Sequence, residues 1–220
     1  MQIKIGQDAA VTANEIRRDA RLLAERDERF APLLAAAGPN FDVMVRGGGF
    51  GSLIHLILGQ QVSVDAAAAM YRRLENTLGE VEPHGLLTLD DATMRQCGFT
   101  RQKGGYARGL GAGIEAGEID LAHIDQQPDD DAVAALVEIR GIGVWTAECY
   151  LLFGLGRRDV FPAGDLALQV GWQEVAGLEL RPGEDDIRLI AEDWSPHRTA
   201  AAWLIWHEYL RRRGRSTETL

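Results

Sequence analysis

The sequence has few cysteines and no long apolar run. Only two cysteines, Cys97 and Cys149, occur in 220 residues, and neither has a neighbour at metal-ligand spacing. They exclude a four-cysteine iron–sulfur cluster and are typical of reduced thiols in a cytosolic protein. No apolar stretch approaches the ~20 residues that a membrane span requires, and the N-terminal residues lack the apolar region of a secretory signal. We therefore expect a cytoplasmic protein with no iron–sulfur cluster and no membrane partner.

Positive charge is also scarce. Lysine and arginine number 23 against 33 acidic residues, which gives a net charge of −10. Such a balance argues against a nucleic-acid partner, because neutralised phosphates usually supply most of the affinity. The acidic residues, however, are clustered where helices are expected to begin, and there they favour the helix dipole. The negative net charge is therefore compatible with a basic surface elsewhere on the protein.

The apolar residues repeat at helical spacing nearly throughout, and this pattern predicts an all-α fold. Thr12 and Glu15 form the sequence pattern of a capping box, which predicts that the first helix begins at Thr12. A helix predicted from residue 100 to 116 contains Gly104, Gly105, Gly109, Gly111 and Gly113. So many glycines in one helix indicate close packing against another backbone, or a helix that is broken.

The most informative stretch is Leu136–Ala147, read as Leu-Val-Glu-Ile-Arg-Gly-Ile-Gly-Val-Trp-Thr-Ala. Gly141 and Gly143 flank one apolar residue and allow the chain to reverse between two helices. The first amides of the second helix are then unpaired, in the positive field of a helix N-terminus, and this arrangement can seat a phosphate. An ordinary helix–helix turn is the alternative interpretation.

These residues resemble the helix-hairpin-helix DNA glycosylase superfamily, and most of all its 3-methyladenine DNA glycosylase II (AlkA-like) branch. The resemblance continues in Gly59-Gln-Gln-Val-Ser63, in Asp159-Val-Phe-Pro-Ala-Gly-Asp165 and in Pro196-His-Arg198 with Trp206. It spans roughly residues 40 to 210 in consistent order. It implies two helical subdomains with a DNA-binding cleft between them, one formed by residues 1–60 with 166–220 and one by residues 61–165 with the hairpin at 136–147. The N-terminal β domain of larger relatives is expected to be absent.

The resemblance also implies the chemistry. Asp165 matches the family's catalytic carboxylate, which stabilises positive charge on the sugar and orients a water molecule while the base departs. Asp165 also fits a plain helix N-cap. Bifunctional relatives carry a nucleophilic lysine in the second hairpin helix, whereas this sequence has no lysine after Lys103. We therefore expect a monofunctional enzyme that uses water.

Further residues are implied for DNA recognition. Gln61 matches the wedge that fills the gap left by a flipped nucleotide, at a position where several relatives have leucine. Cys149 replaces the family's pocket tyrosine, and Tyr150 follows it. The expected walls of the base pocket are Trp145, Trp206 and Tyr150. The expected phosphate contacts are Gly141, Gly143, Thr146 and Lys103. The backbone carbonyls of Val137, Ile139 and Gly141 are expected to hold a monovalent cation, Na⁺ or K⁺.

The predicted function is that of a DNA-3-methyladenine glycosylase II-type hydrolase in base-excision repair. It would remove alkylated purines, such as 3-methyladenine and 7-methylguanine, from damaged double-stranded DNA. We expect it to act as a monomer and to require no cofactor other than the cation. Two alternatives are a mismatch or oxidised-base glycosylase of the same superfamily, and a non-catalytic helix-hairpin-helix DNA-binding module.

Overall fold

The computed structural model describes residues 2–215, with side chains from residue 12 onward. Within that range every regular element is helical, and the predicted all-α fold is confirmed. None of these helices is both long and apolar enough to cross a membrane. The α-helices are α1 (Gln2–Arg26), α2 (Ala31–Ala37), α3 (Phe50–Gly59), α4 (Val64–Leu78), α5 (Pro83–Leu87), α6 (Asp91–Gln96), α7 (Arg101–Glu115), α8 (Leu121–Ile124), α9 (Asp129–Val137), α10 (Val144–Cys149), α11 (Leu166–Ala176), α12 (Glu184–Glu192) and α13 (Arg198–Arg212). A π-helical turn, Tyr150–Gly154, continues α10.

One compact unit comprises the chain up to Gly47 and from Leu151 onward. Its central helix is α13, which packs against α1, α2 and α11. Three consecutive buried alanines, Ala200–Ala202, allow these helices to approach closely because their side chains are small. Beside them Phe30 stacks on Trp172, with 5.7 Å between ring centroids, and Trp194 meets both rings edge-on. Burial of these large rings is a main source of the unit's stability.

The second compact unit comprises Gly48–Tyr150. Within it α3 packs against α4, α7 and α10. Helix α7 carries the five glycines and is nevertheless continuous. A Cβ at Gly113 would lie 2.6 Å from the Ile119 side chain, and a Cβ at Gly111 would lie 3.6 Å from the Phe50 ring. Close packing therefore explains Gly113, whereas a Cβ at Gly111 would meet the ring at an ordinary van der Waals distance. The helix is not broken.

The bounds of the two units differ from the predicted subdomains, which placed the division at residues 60/61 and 165/166. The structure divides the chain at 47/48 and 150/151. Helix α3 belongs to the second unit because it packs on α4 and α7. Residues 151–165 belong to the first unit, where Arg158 pairs with Asp19 and Asp159 pairs with Arg198.

Candidate active site

Asp165 lies at the start of α11, in the first unit. Its backbone is extended (φ −76°, ψ 119°), and its Oδ1 accepts the Leu168 N–H at 3.0 Å, which is the geometry of a helix N-cap. The same oxygen accepts the Trp206 indole N–H at 3.2 Å. The residue is partly exposed. Its carboxylate is thus held by two donors on a helix end that a ligand can approach.

Trp206 is only 3% exposed. One face stacks on Phe153, with 5.3 Å between centroids and 22° between ring planes, and Trp203 meets the indole edge-on. The guanidinium of Arg46 lies 5.3 Å from the Phe153 centroid. Because these neighbours cover the indole, little of its surface is open to a flipped base. The contacts favour a role in holding Asp165 over the predicted role of a pocket wall.

Phe153 and Arg46 were not singled out in the sequence. Phe153 lies in the π-helical turn, and the Arg46 N–H donates to its carbonyl at 2.7 Å. The one signal for Arg46 is its position just before Gly47, where a flexible loop is expected. Phe153 covers Trp206, and Arg46 lies against Phe153, through contacts between residues far apart in sequence. No local sequence pattern indicates such contacts.

The loop that carries Asp165 is anchored at its beginning by Asp159. Its carboxylate accepts the Arg198 Nε–H at 2.9 Å, the Arg198 backbone N–H at 3.1 Å and the Ser195 hydroxyl at 2.7 Å. Burial raises the pKa of Asp159, but the hydrogen bonds from Arg198 and Ser195 together lower it by more than burial raises it. The pKa therefore lies below its ordinary value. Val160, the next residue of the loop, donates its backbone N–H to Thr199 Oγ1 of α13. Asp159 and Arg198, which belong to two separate segments of the recognised sequence pattern, are therefore partners in one ion pair.

We expect Arg198→Met to destabilise the protein by about 1.5–3 kcal/mol at neutral pH, because it removes charged hydrogen bonds from a partly buried carboxylate. Urea unfolding measures the difference. Since the folded pKa of Asp159 is lowered, its stabilisation is present above the unfolded value of about 3.9 and is lost as pH falls through the folded value. The difference in the free energy of unfolding between wild type and Arg198→Met should thus become smaller below about pH 4. Arg188→Met is the control, since its exposed pair with Glu184 contributes only about 0.3–0.5 kcal/mol.

The helix-hairpin-helix is formed by α9 and α10 in the second unit. Gly141 has φ +96°, and a Cβ there would lie 2.3 Å from the Tyr106 ring, so both conformation and packing require glycine. Gly143 has an ordinary φ of −94° and is the N-cap of α10. It has no side chain to cap the first amides of that helix. This geometry agrees with the phosphate seat predicted at the hairpin, which stays a prediction.

The loop between α3 and α4 carries the predicted wedge. Gln61 has φ +58°, and it is the non-glycine residue with positive φ within residues 2–215. Such a conformation costs on the order of 1–3 kcal/mol and persists only where neighbouring contacts impose it. One pocket of about 520 Å³ is bordered by this loop, by the hairpin turn and by the start of α7. Its lining residues are Gln60, Gln61, Val62, Thr100, Gln102, Lys103, Tyr106, Gly141, Ile142 and Gly143.

Lys103 and Thr146 were predicted to contact DNA phosphates, and the structure gives both side chains internal partners. The Lys103 ammonium donates to the Leu58 and Gln60 carbonyls, each at 2.7 Å, and burial lowers the pKa of Lys103. Thr146 is 3% exposed, and its hydroxyl accepts Gln60 Nε2–H at 3.2 Å. The prediction that these two side chains contact DNA phosphates is therefore not supported, because their polar atoms already form hydrogen bonds with residues of the α3–α4 loop and the end of α3.

Tyr150 was predicted as a wall of the base pocket, and its surroundings do not support this role. The residue is fully buried. Its hydroxyl donates to Asp125 Oδ1 at 2.8 Å and accepts the Gly49 N–H at 2.7 Å. Burial raises the pKa of Tyr150, and Asp125 raises it further, so the hydroxyl remains a donor. Trp145 is partly exposed in the first turn of α10, and it stays the candidate stacking surface.

The carbonyls predicted to hold a cation lie in and before the hairpin turn. The Ile139 carbonyl accepts the Ile142 N–H at 3.0 Å, and the Gly141 carbonyl accepts Gln60 Nε2–H at 2.9 Å. A carbonyl oxygen has two acceptor positions, so each retains one. The carbonyls of Ile139 and Gly141 are thus compatible with the predicted cation site, and the part of Val137 in it stays a prediction.

Comparison with known proteins decides the family. The sequence profile of the HhH-GPD superfamily, described as base excision DNA repair proteins, matches residues 54–197. The chain belongs to the HhH-GPD superfamily. The matched range includes Gln61, the hairpin and Asp165, and the resemblance inferred from the sequence is confirmed.

Individual HhH-GPD relatives are similar over most of the chain. The DNA-3-methyladenine glycosylase 1 of Schizosaccharomyces pombe is 29% identical over 188 residues, which cover 84% of this chain and 82% of that protein. The DNA-3-methyladenine glycosylase 2 of Escherichia coli is 32% identical over 170 residues, or 70% of this chain. The chain spans only 55% of that protein and 58% of a similar Bacillus subtilis protein.

A solved HhH-GPD structure extends the likeness to three dimensions. The 3-methyladenine DNA glycosylase of S. pombe, in complex with abasic DNA, is similar with a TM-score of 0.79 and 28% identity. The match covers 86% of this chain and 95% of that chain. A DNA-3-methyladenine glycosidase from Bacillus halodurans gives a TM-score of 0.75 at 29% identity, and covers 89% of this chain and 91% of that one.

Proposed function

We propose that the protein is a monofunctional DNA glycosylase that hydrolyses the N-glycosidic bond of alkylated purines, 3-methyladenine and 7-methylguanine, in base-excision repair. The observation that carries this proposal is Asp165, a partly exposed carboxylate that Leu168 and Trp206 orient. The sequence resemblance assigns the family's catalytic carboxylate to this position. Relatives named as 3-methyladenine glycosylases match this chain in sequence and in fold. A DNA-binding module has no need of a carboxylate held in this way.

The reaction breaks the bond from C1′ to the base nitrogen, and the bonding electrons leave with the base. Positive charge then develops on the sugar, and the Asp165 carboxylate stabilises it electrostatically. A water oxygen forms the new bond to C1′, and its proton passes to Asp165 or to solvent. The products are the free base and an intact abasic site. Because the two hydrogen bonds fix the carboxylate before substrate binds, little reorganisation is required during the reaction.

Base flipping brings the damaged nucleotide out of the duplex. Gln61 would fill the gap, and its amide group can hydrogen-bond the base left without a partner. Trp145 would stack on the flipped base, where an aromatic face favours a cationic ring. The amides at the start of α10 would bind a phosphate of the same strand.

We further propose a monomeric protein that acts on damaged double-stranded DNA in the bacterial cytosol. A Na⁺ or K⁺ ion, held by the carbonyls of Val137, Ile139 and Gly141, would supply positive charge beside a DNA phosphate. No further cofactor is required for this hydrolysis, since water is the nucleophile.

The direct test is free-base release from methylated duplex DNA, resolved by chromatography. We expect 3-methyladenine and 7-methylguanine in the supernatant, and abasic sites in the DNA that alkali then cleaves. Duplexes that carry 8-oxoguanine or a mismatch, in place of methylated bases, test the rival specificity. If no base is released from any substrate while the protein still binds DNA, the non-catalytic module is the correct interpretation.

Borohydride should trap no covalent complex between protein and DNA. A bifunctional enzyme forms a Schiff base through a lysine, but this sequence has none after Lys103, and the Lys103 ammonium already donates to two carbonyls. The assay is a denaturing gel, with a bifunctional glycosylase on its own substrate as positive control. A shifted band that disappears in Lys103→Met would contradict the monofunctional assignment.

A further inference from the structure

The loop residues 60–62 must hold a conformation that they would not adopt alone. Gln61 has φ +58° and is exposed, and the adjacent Val62 is exposed as well. Exposed side chains make few contacts of their own, so other contacts must hold the loop backbone in this conformation. The side chains of Lys103 and Gln60 make these contacts.

Lys103 reaches this loop from the first turn of α7. Its ammonium donates to the carbonyls of Leu58 and Gln60, both at 2.7 Å. Leu58 lies in the last turn of α3, and Gln60 is the C-cap of that helix. Carbonyls at a helix C-terminus lack partners within the helix and carry negative partial charge, so a cation stabilises them. The bonds fix the carbonyl that directly precedes Gln61.

Gln60 joins the same loop to the hairpin. Its side-chain amide donates to the Gly141 carbonyl at 2.9 Å and to Thr146 Oγ1 at 3.2 Å. Gly141 is the first glycine of the hairpin turn, and Thr146 lies in the first turn of α10. The backbone of Gln60 is thus held by Lys103, while its side chain is held by the hairpin.

We propose that Lys103 and Gln60 are positioning residues, which lock the Gln61 loop in its left-handed conformation and join it to the hairpin, so that wedge and hairpin engage duplex DNA as one rigid element. This inference rests on the proposed function, since it assigns a role in base flipping to residues that do not touch the reacting atoms. Lys103 acts here through backbone carbonyls, not as a phosphate contact.

The variants are chosen to separate positioning from charge. Lys103→Met keeps the apolar part of the side chain and removes the ammonium, Lys103→Arg restores a donor, and Gln60→Leu removes the side-chain amide. Arg101→Met is the matched control, because it removes one exposed positive charge from the same turn of α7. Thermal unfolding of each variant shows that it is folded at the assay temperature.

The first readout is single-turnover excision of 7-methylguanine from a duplex and from the same strand alone. Only the duplex has a gap to fill, so Lys103→Met and Gln60→Leu should lower the duplex-to-single-strand rate ratio by about tenfold, the effect of losing a charged or well-placed hydrogen bond. Lys103→Arg should recover part of this ratio, and Arg101→Met should leave it at the wild-type value. An equal loss on both substrates would overturn the proposal.

The second readout is independent of chemistry. In an Asp165→Asn background, 2-aminopurine opposite a tetrahydrofuran abasic site reports by fluorescence on whether the wedge occupies the gap. Lys103→Met should abolish most of the fluorescence change on binding, yet leave the salt dependence of affinity unaltered. If the slope of log K against log salt falls by about one while the fluorescence change persists, Lys103 is a phosphate contact and the proposal is wrong. Should wild type release no base at all, the proposed function fails, and this second readout still decides the role of Lys103.

Discussion

An Asp165→Asn variant is expected to release methylated bases at least about 10³-fold more slowly than wild type in single turnover, since the charge that stabilises the transition state is lost. Its affinity for abasic DNA should stay within a few-fold, because the carboxylate acts chiefly on charge that develops during bond cleavage. Asparagine retains an Oδ1 that can accept the Leu168 and Trp206 N–H groups, and it is a good N-cap. The substitution therefore changes charge with little change in structure.

Asp120→Asn is the matched control for this experiment. Asp120 is the N-cap of α8, and its Oδ1 accepts the His123 N–H at 2.9 Å, as Asp165 does for Leu168. The exchange there should leave excision at the wild-type rate. If Asp165→Asn also remains within a few-fold of wild type, Asp165 is a helix cap and not the catalytic carboxylate.

Local patterns predicted those features whose cause is local. The hairpin follows from two glycines between apolar helices. Asp165 fits an N-cap in the sequence, and it is the N-cap of α11; its catalytic role stays a prediction. The glycines of α7 indicated close packing, and Gly113 does pack closely. The first helix shows the limit of such patterns. It begins at Gln2, not at Thr12, because the stretch before Thr12 has no proline, and its one glycine, Gly6, lowers helix propensity without ending the helix.

Residue roles that depend on long-range contacts were not predictable. Lys103 is a basic residue near a proposed phosphate site, so its charge suggested DNA contact, yet its partners are carbonyls 43 and 45 residues away. Tyr150 follows Cys149, which occupies the family's tyrosine position, but neighbouring residues on a helix do not face the same way. The hydroxyl of Tyr150 consequently meets Asp125 in the interior. Which face of a helix is covered depends on the tertiary fold, and a single sequence does not record it.

Selectivity for cationic bases is the second large effect expected. A purine methylated at N3 or N7 carries positive charge, so its glycosidic bond is weak and the base leaves without a proton. The donors to Asp165 are a backbone amide and an indole N–H, and neither group can protonate a leaving base. The histidines with described partners serve other parts of the fold: His55 stacks on Tyr71, His197 Nδ1 lies 3.2 Å from Asp19, and His207 bonds the Asp42 carbonyl.

The single-turnover rate of excision, divided by the spontaneous rate of loss of the same base, should therefore be high for 3-methyladenine and 7-methylguanine. This rate enhancement should be at least about 10²-fold lower for uracil, which needs the general acid that typically contributes 10²–10⁴-fold. Hypoxanthine should resemble uracil, because it too is neutral. The measurement uses oligonucleotides of one sequence that differ only in the lesion, and each rate is divided by the spontaneous rate of the same lesion. This division matters because a weak bond breaks faster without any enzyme. If the rate enhancement for uracil equals that for 3-methyladenine, an acid acts on the departing base, and Asp165 with water is not the whole mechanism.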